Sequence, residues 1–190
     1  MKNYLKIGLI VVIAVALIGG YYYYLSHRNA NAPEDNVEIT ELDEIISKQL
    51  DSDYPPTPRE VVKFYNRILE CVYGGGYDES QFDQIIGQAR KLMDDELLEG
   101  NPLDTYKSQL QEEIETYKKN SQQIIQTTVC DSDEVEKKEI DGRKCAYVKA
   151  TYFLKSGQGQ FEKTFERYLL RQDDNGNWKI LAYYLINGEE

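Results

Sequence analysis

A run of 20 residues without charge, residues 7–26, lies near the start of a chain that is otherwise rich in charged residues. Its strictly apolar part, residues 7–20, is short for a lipid bilayer, but four tyrosines and Leu25 extend it to 19 residues. A helix of that length spans about 28 Å, which matches the hydrocarbon core of a membrane. Tyrosine side chains are common where such a helix leaves the lipid. The segment therefore predicts a transmembrane helix over residues 7–25.

A cleaved signal peptide is the alternative interpretation, because the chain starts with basic residues followed by a short apolar run. The tripeptide at residues 30–32 has the small side chains of a cleavage site, but Pro33 would follow the cut and disfavour it. We therefore expect the segment to be retained as an anchor.

The basic residues around the segment indicate its orientation. Lys2 and Lys6 precede it, and only Arg28 follows it closely, beside a mostly neutral His27. Positive charge favours the cytoplasmic side, so we expect a single-pass protein of the cell membrane with its N-terminus inside. The lipid bilayer is then a partner of the anchor. The predicted parts are a cytoplasmic end, a transmembrane helix, a linker with a short helix and an extracytoplasmic domain, at residues 1–6, 7–25, 26–53 and 54–190.

The chain after the anchor is strongly acidic. Residues 34–190 contain 33 acidic and 19 basic residues, which gives a net charge of −14 at neutral pH. Nucleic-acid binding needs a basic surface, so this charge argues against a nucleic-acid partner. The length is enough for one domain with a hydrophobic core of its own.

Three cysteines, Cys71, Cys130 and Cys145, are too few and too scattered for a disulfide framework. The Asp-Gly pair at residues 141–142 predicts a two-residue hairpin turn, in which Cys145 faces Lys138. Cys130 and Cys145 are then not opposite each other, so the sequence predicts no disulfide between them.

Local signals predict three helices in the first half of the domain. Thr57 can cap the first of them, with Glu60 completing a capping box, and the glycine run at residues 74–76 ends it. A second helix begins at Asp78, and a third follows the next Asn-Pro pair. A shorter helix in the linker has Thr40 as its cap.

From Ile124 onward, apolar and polar residues alternate as in half-buried β-strands. Turns at residues 141–142, 156–159 and 175–176 divide this part into four strands. The helices must bury their apolar stripes against one face of the sheet. The predicted fold class is α+β, with a transmembrane helix and then three helices packed on a curved four-stranded antiparallel sheet.

This order of elements, with a last strand that starts Trp178-Lys-Ile180, resembles the nuclear transport factor two-like superfamily, whose fold is cone-like. In that fold the curved sheet wraps a helix and leaves a pocket at the wide end. The segment from Tyr54 to Tyr65, continuing to Ile68, also resembles an uncharacterised bacterial family of single-pass membrane-anchored proteins of unknown function. The resemblance covers residues 54–186. The cone fold hosts enzymes, ligand carriers and scaffolds, so the fold implies no single role.

The domain lacks the residues of common catalytic and metal sites. His27 is the only histidine, which removes the usual general base and the commonest metal ligand from the domain. The sequence has no zinc-site, nucleophilic-serine or phosphate-loop motif. We therefore expect no catalytic residue, no cofactor and no metal, and a protein that is not an enzyme.

The cone-fold resemblance implies one candidate pocket. Enzymes of that fold often combine an Asp or His base with a tyrosine hydroxyl. The strand residues that would line such a pocket in this chain are Tyr152, Tyr168, Tyr184 and Glu166. Glu166 would need a raised pKa to act as a base near neutral pH. The alternative is that the tyrosines are ordinary core and rim residues and that Glu166 is solvated.

The leading hypothesis is a membrane-anchored, extracytoplasmic binding or assembly module of the bacterial cell envelope, without catalysis. Its partner would be a second copy of the chain or an envelope protein. One alternative is a carrier that holds a small ligand in the Tyr-lined pocket, and a less favoured one is a Glu/Tyr acid–base enzyme. A large closed apolar cavity would favour the carrier, and a filled cone with an exposed apolar sheet patch would favour assembly.

Overall fold

A computed structural model of the chain describes residues 40–157 and 159–188. Within these residues five helices precede five antiparallel strands, so the fold class is α+β. The helices are α1 (Glu41–Ser47), α2 (Pro58–Gly74), α3 (Glu79–Lys91), α4 (Asp95–Gly100) and α5 (Leu103–Lys119). The strands are β1 (Gln123–Val129), β2 (Glu136–Ile140), β3 (Arg143–Lys155), β4 (Phe161–Gln172) and β5 (Trp178–Ile186).

The helices begin where the sequence supplies side-chain caps. Thr40 caps α1, and the Thr57 hydroxyl accepts a hydrogen bond from the Glu60 backbone N–H at the start of α2. The predicted capping box of α2 is only half formed, because the Glu60 carboxylate lies 3.0 Å from Lys63 Nζ. Asp78 caps α3 as predicted. These helix starts follow from local sequence because a capping side chain reaches only the next turn.

Helix α1 packs into the domain although the sequence analysis placed it in the linker. Ile45 is fully buried in the common core. Gln88 Nε2 on α3 donates hydrogen bonds to the backbone carbonyls of Ile46 at 3.0 Å and of Lys48 at 2.9 Å. These bonds hold the end of α1 against α3, so the domain starts earlier than residue 54.

The sheet has five strands where the sequence predicted four, and this part of the predicted fold is wrong. Strand β3 pairs with β4 along one edge, while β1 and β2 share its other edge one after the other. An acidic turn separates β1 from β2, in which the Asp131 N–H donates to the Glu134 carboxylate at 2.8 Å. The turn breaks one expected strand into two because its backbone hydrogen bonds are local and leave the ladder.

The β2–β3 hairpin follows its predicted register. Asp141 and Gly142 have positive φ angles of 50° and 76°, as the two-residue turn requires. Cys145 lies opposite Lys138, which confirms the prediction for this pair. All three cysteines are free thiols.

Helix α2 fills the inner face of the sheet. Its buried stripe includes Val61, Ile68 and Val72, and the sheet contributes fully buried side chains such as Val148 and Ile180. Burying a side chain of this size is worth about 1.5–3 kcal/mol, so this contact contributes several kcal/mol to stability. The core lies between the helices and this one face.

The predicted transmembrane architecture also requires correction. Among the helices of residues 40–157 and 159–188, none is long and apolar enough to cross a membrane. The longest, α2 and α5, have 17 residues each and carry charged side chains. The predicted single-pass membrane location is therefore not supported, and the predicted span, residues 7–25, lies outside the described residues.

Helix α4, which the sequence analysis missed, is tied to the sheet by a buried ion pair. Asp94 caps α4, and its carboxylate accepts a hydrogen bond from Arg171 Nε on β4 at 3.0 Å. The Asp94 N–H also donates to the Ile180 carbonyl at 2.8 Å. Burial raises the pKa of Asp94, but the hydrogen bonds from Arg171 and the Glu96 N–H outweigh it, so the pKa lies below its usual 3.8.

Replacing Asp94 with alanine should lower the free energy of unfolding by about 3 kcal/mol, because it removes the cap of α4 and leaves the Arg171 guanidinium with only the exposed Glu96 carboxylate as its partner. Since the pKa of Asp94 is lowered, its contribution is present above pH 3.8 and is lost as the pH falls further. Urea denaturation at pH 7 and at pH 3 measures both effects. The control is Asp51→Ala. The Asp51 side chain is 86% exposed beside Lys91, so its removal should lower the free energy of unfolding by less than about 1 kcal/mol. Equal losses for the two variants would contradict the account.

Candidate functional site

Three of the four candidate pocket residues lie together on the helix-facing side of the sheet. Tyr168 Oη lies 2.7 Å from Glu166 Oε2, and the hydroxyls of Tyr168 and Tyr152 are hydrogen bonded to each other. Tyr152 Oη lies 2.8 Å from Oδ1 of Asn66, which α2 places in the core. We call these four residues the Glu–Tyr cluster.

Tyr184 lies apart from the Glu–Tyr cluster. In the β4–β5 ladder Leu170 pairs with Ile180 and Leu169 with Ala182, so Leu181 is an extra residue in β5. A bulge of this kind reverses which side chains face inward beyond it. Tyr184 is therefore 46% exposed on the outer face.

Tyr183 takes the inward position that the sequence analysis gave to its neighbour. It pairs with Tyr168 across the ladder, and the two rings stack with their centroids 5.7 Å apart. The Tyr65 ring of α2 meets the Tyr168 ring edge-on at 6.0 Å. The three rings form one aromatic wall beside Glu166.

A cavity of about 170 Å³ lies against this wall, between α2, α5, β4 and β5. We call it the tyrosine cavity. Its tyrosines and glutamates are Tyr65, Tyr73, Tyr106, Tyr168, Tyr183, Glu113 and Glu166. Leu69, Leu110, Asn101 and Gln109 complete the lining. Its volume is enough for on the order of five water-sized groups, and its lining mixes apolar rings with oxygen atoms.

The sequence analysis missed the helical half of this lining. Tyr65 and Tyr106 have the spacing of the apolar helix stripes, and that spacing alone indicates core residues. The tyrosine hydroxyls are the sequence feature that could have indicated a polar site here, since a buried hydroxyl needs a hydrogen-bond partner. Asn66, a polar residue next to the buried stripe of α2, gives the same indication.

A wider groove of about 540 Å³ lies around Asp51, Asp94 and Asp173. Two of its carboxylates are paired, Asp94 with Arg171 and Asp51 with Lys91, and Arg90 and Lys179 also line it beside its other carboxylates. The carboxylates of the tyrosine cavity have no such partner. Among the described residues, no basic nitrogen lies within 4.0 Å of Glu113 or Glu166. The unpaired charge makes the tyrosine cavity the stronger candidate site.

The sequence identifies the family of the chain. Residues 1–183 match one family model, described as a domain of unknown function, DUF6715. The chain belongs to the DUF6715 family. No curated protein matches it. The DUF6715 description names no fold and no activity. The cone-fold likeness therefore stays a prediction, and the site is the basis for a function of this DUF6715 domain.

Burial is the first cause of the unusual electrostatics of this DUF6715 site. It raises the pKa of Glu166 above the ordinary 4.5, the hydrogen bonds from Tyr168 and Tyr152 oppose it, and the charge of Glu113 adds to it. Burial likewise raises the pKa of Tyr65 and Tyr168 far above 10, so both stay neutral at physiological pH.

The three hydrogen bonds of the Glu–Tyr cluster need three protons, and its tyrosines supply two. Tyr168 donates to Glu166 Oε2 and Tyr152 donates to Asn66 Oδ1, which uses both hydroxyl protons. The bond between the two hydroxyls needs a third proton, which either a protonated Glu166 or the Nδ2 of a rotated Asn66 amide supplies. The cluster therefore accommodates both protonation states of Glu166.

Metal binding has little support in the described part of the chain. Within residues 40–157 and 159–188, no three or more His, Cys, Asp or Glu side chains converge as a metal ion would require. The site is thus a cavity of hydroxyls, rings and two carboxyls.

The Glu166→Gln variant should differ from the wild type in how stability depends on pH. Because the pKa of Glu166 is raised above 4.5, the wild type loses stability as the pH rises from 4.5 through the folded-state pKa. Glutamine cannot ionise, so the stability of the variant relative to the wild type should increase between pH 4 and pH 8. Urea denaturation across this range measures the difference.

The matched control is Glu162→Gln, an exposed glutamate on the same strand. Its stability relative to the wild type should change little over the same pH range. A pH-independent difference for Glu166→Gln would contradict the raised pKa.

Proposed function

We propose that this domain binds a small molecule in the tyrosine cavity and does not transform it. The observation that carries the proposal is the cavity of about 170 Å³ with two carboxyls and no basic partner among the described residues. Glu166 is half-buried, and a partly buried carboxyl normally has a cation beside it, so a cavity that supplies none suits a ligand that brings a partner of its own.

The arrangement of exposed and buried groups fits binding. Tyr65 and Tyr168 form a floor with almost no solvent exposure, at 2% and 0%. Tyr183, Gln109 and Glu113 lie at the exposed mouth. A rigid floor and an accessible mouth admit a small ligand without opening the core.

Catalysis by Glu166 and Tyr168 is the less favoured role. A carboxyl with a raised pKa in contact with a tyrosine hydroxyl can serve as an acid or a base. Glu166 Oε2, however, already accepts a hydrogen bond from Tyr168, in a chain of hydrogen bonds that ends at the buried Asn66. We therefore assign Glu166 to recognition.

Assembly is a second candidate, because the outer face of the sheet carries exposed apolar side chains. On that face Phe161 is 72% and Tyr184 is 46% exposed. Scattered exposed side chains are common on monomers, whereas an interface needs a continuous patch. The same mass measurement that detects a ligand distinguishes a dimer from a monomer.

Native mass spectrometry of the full-length protein tests the binding function. We expect a native mass that exceeds the denatured mass by that of a small molecule. Gln109→Trp should lower the ligand-bearing fraction about tenfold, because an indole at the exposed mouth costs the ligand about 1.4 kcal/mol or more. Gln111→Trp is the control, since this exposed residue of the same helix lies outside the cavity.

Equal native and denatured masses for the wild type would contradict a bound ligand. Equal ligand loss in both tryptophan variants would contradict its location in the tyrosine cavity. A doubled native mass without a ligand would favour assembly.

A further inference from the structure

We propose that the ligand of the tyrosine cavity is a small primary ammonium ion, the protonated form of an organic amine, held by Glu166 and Glu113 and by the tyrosine rings. This inference rests on the proposed function and names the chemical class of its ligand.

The charge of the cavity is the first reason. Glu166 is half-buried and Glu113 lies at the mouth, and no basic nitrogen of the described residues comes within 4.0 Å of either carboxyl. The buried ion pair of Asp94 and Arg171 shows how this protein neutralises an acid when it supplies the cation itself. In the tyrosine cavity the missing cation must come from the ligand, because an unpaired charge in a partly buried site is costly.

The shape and chemistry of the lining select a primary ammonium. An ammonium group has three N–H donors, and the cavity offers carboxyl and hydroxyl oxygens as acceptors. The rings of Tyr65, Tyr168 and Tyr183, with centroids 5.7 to 6.4 Å apart, line the cavity, and an aromatic lining favours a cation over an anion. A volume of about 170 Å³ limits the ligand to about five or six non-hydrogen atoms.

Binding of the cation is coupled to loss of the proton from Glu166. A positive charge beside the carboxyl favours its ionised form, so the proton leaves to the solvent when the ammonium enters. Asn66 accommodates the change. Its buried Nδ2 has no partner among the described residues, and rotation of the amide would let it donate to Tyr152 and reverse the hydrogen-bond chain.

The other groups that face Glu166 do not compete for this role. The facing residues are Tyr65 and Tyr73 of α2, Tyr106, Glu113 and Tyr117 of α5, Tyr152 of β3, Tyr168 of β4 and Tyr183 of β5. Burial raises the pKa of every one of these tyrosines above 10, so none of them ionises between pH 4 and pH 8. Ammonium binding should therefore strengthen as the pH rises above 4.5.

The probe is n-butylammonium chloride, and its neutral analogue is 1-butanol. Titration calorimetry and NMR on the full-length protein should show that butylammonium binds at least tenfold more tightly at pH 8 than 1-butanol does. Glu166→Gln should weaken butylammonium binding about tenfold, and Glu162→Gln should leave it unchanged. At pH 5, where the raised pKa leaves part of Glu166 protonated, proton release should appear as a binding enthalpy that depends on the ionisation enthalpy of the buffer.

Two results would overturn the proposal: equal affinity for butylammonium and 1-butanol, or unchanged butylammonium binding in Glu166→Gln. If 1-butanol binds and Gln109→Trp blocks it, the binding cavity stands and only the ammonium class fails. If neither probe binds and the native mass of the protein carries no ligand, the ligand class and the binding function both fail.

Discussion

The burial of α2 against the inner face of the sheet is the contact on which the rest of this domain depends. Val61, Ile68 and Val72 are at most 1% exposed, and they meet strand residues that are equally buried. The same interface contains Asn66, a polar side chain that is only 1% exposed. A buried amide costs about 1–3 kcal/mol unless it is hydrogen bonded, so the sheet must offer it a polar partner. Tyr152 is that partner, and the chain of hydrogen bonds from it leads to Glu166.

Two partly buried acids in this domain have opposite electrostatics because their neighbours differ. Asp94 faces the guanidinium of Arg171, which keeps its pKa low and makes it a structural anchor for α4. Glu166 faces hydroxyls and another carboxyl, which leave its pKa raised by burial. An acid whose cation comes from the same chain stabilises the fold. An acid without such a cation is costly to ionise, and a cationic ligand can lower that cost. Asp94 is therefore a structural residue, whereas Glu166 belongs to the candidate site.

The sequence predicted the features that depend on a few neighbouring residues. The caps at Thr40, Thr57 and Asp78 and the turn at residues 141–142 are local, and the structure has each of them. The β1–β2 break depends on a hydrogen-bonded turn that competes with strand pairing, and alternation of apolar residues cannot reveal such a competition.

The candidate site was predictable only in part for the same reason. Alternation along the strands brings Tyr152, Glu166 and Tyr168 to one face, but the extra residue Leu181 reverses the pattern farther along β5. Its position is set by pairing with β4, and not by the sequence around it. The helical tyrosines of the cavity have the spacing of core residues, and only the packing of α5 against α2 shows that their hydroxyls share a cavity with Glu166.

The central claim is that Glu166 is a carboxyl buried among tyrosines without a compensating cation. A ¹³C NMR titration of its side-chain carboxyl in the full-length protein tests this most directly. The account predicts a titration midpoint above the ordinary 4.5, which butylammonium shifts downward. A midpoint at or below 4.5 in the absence of any added cation would contradict it.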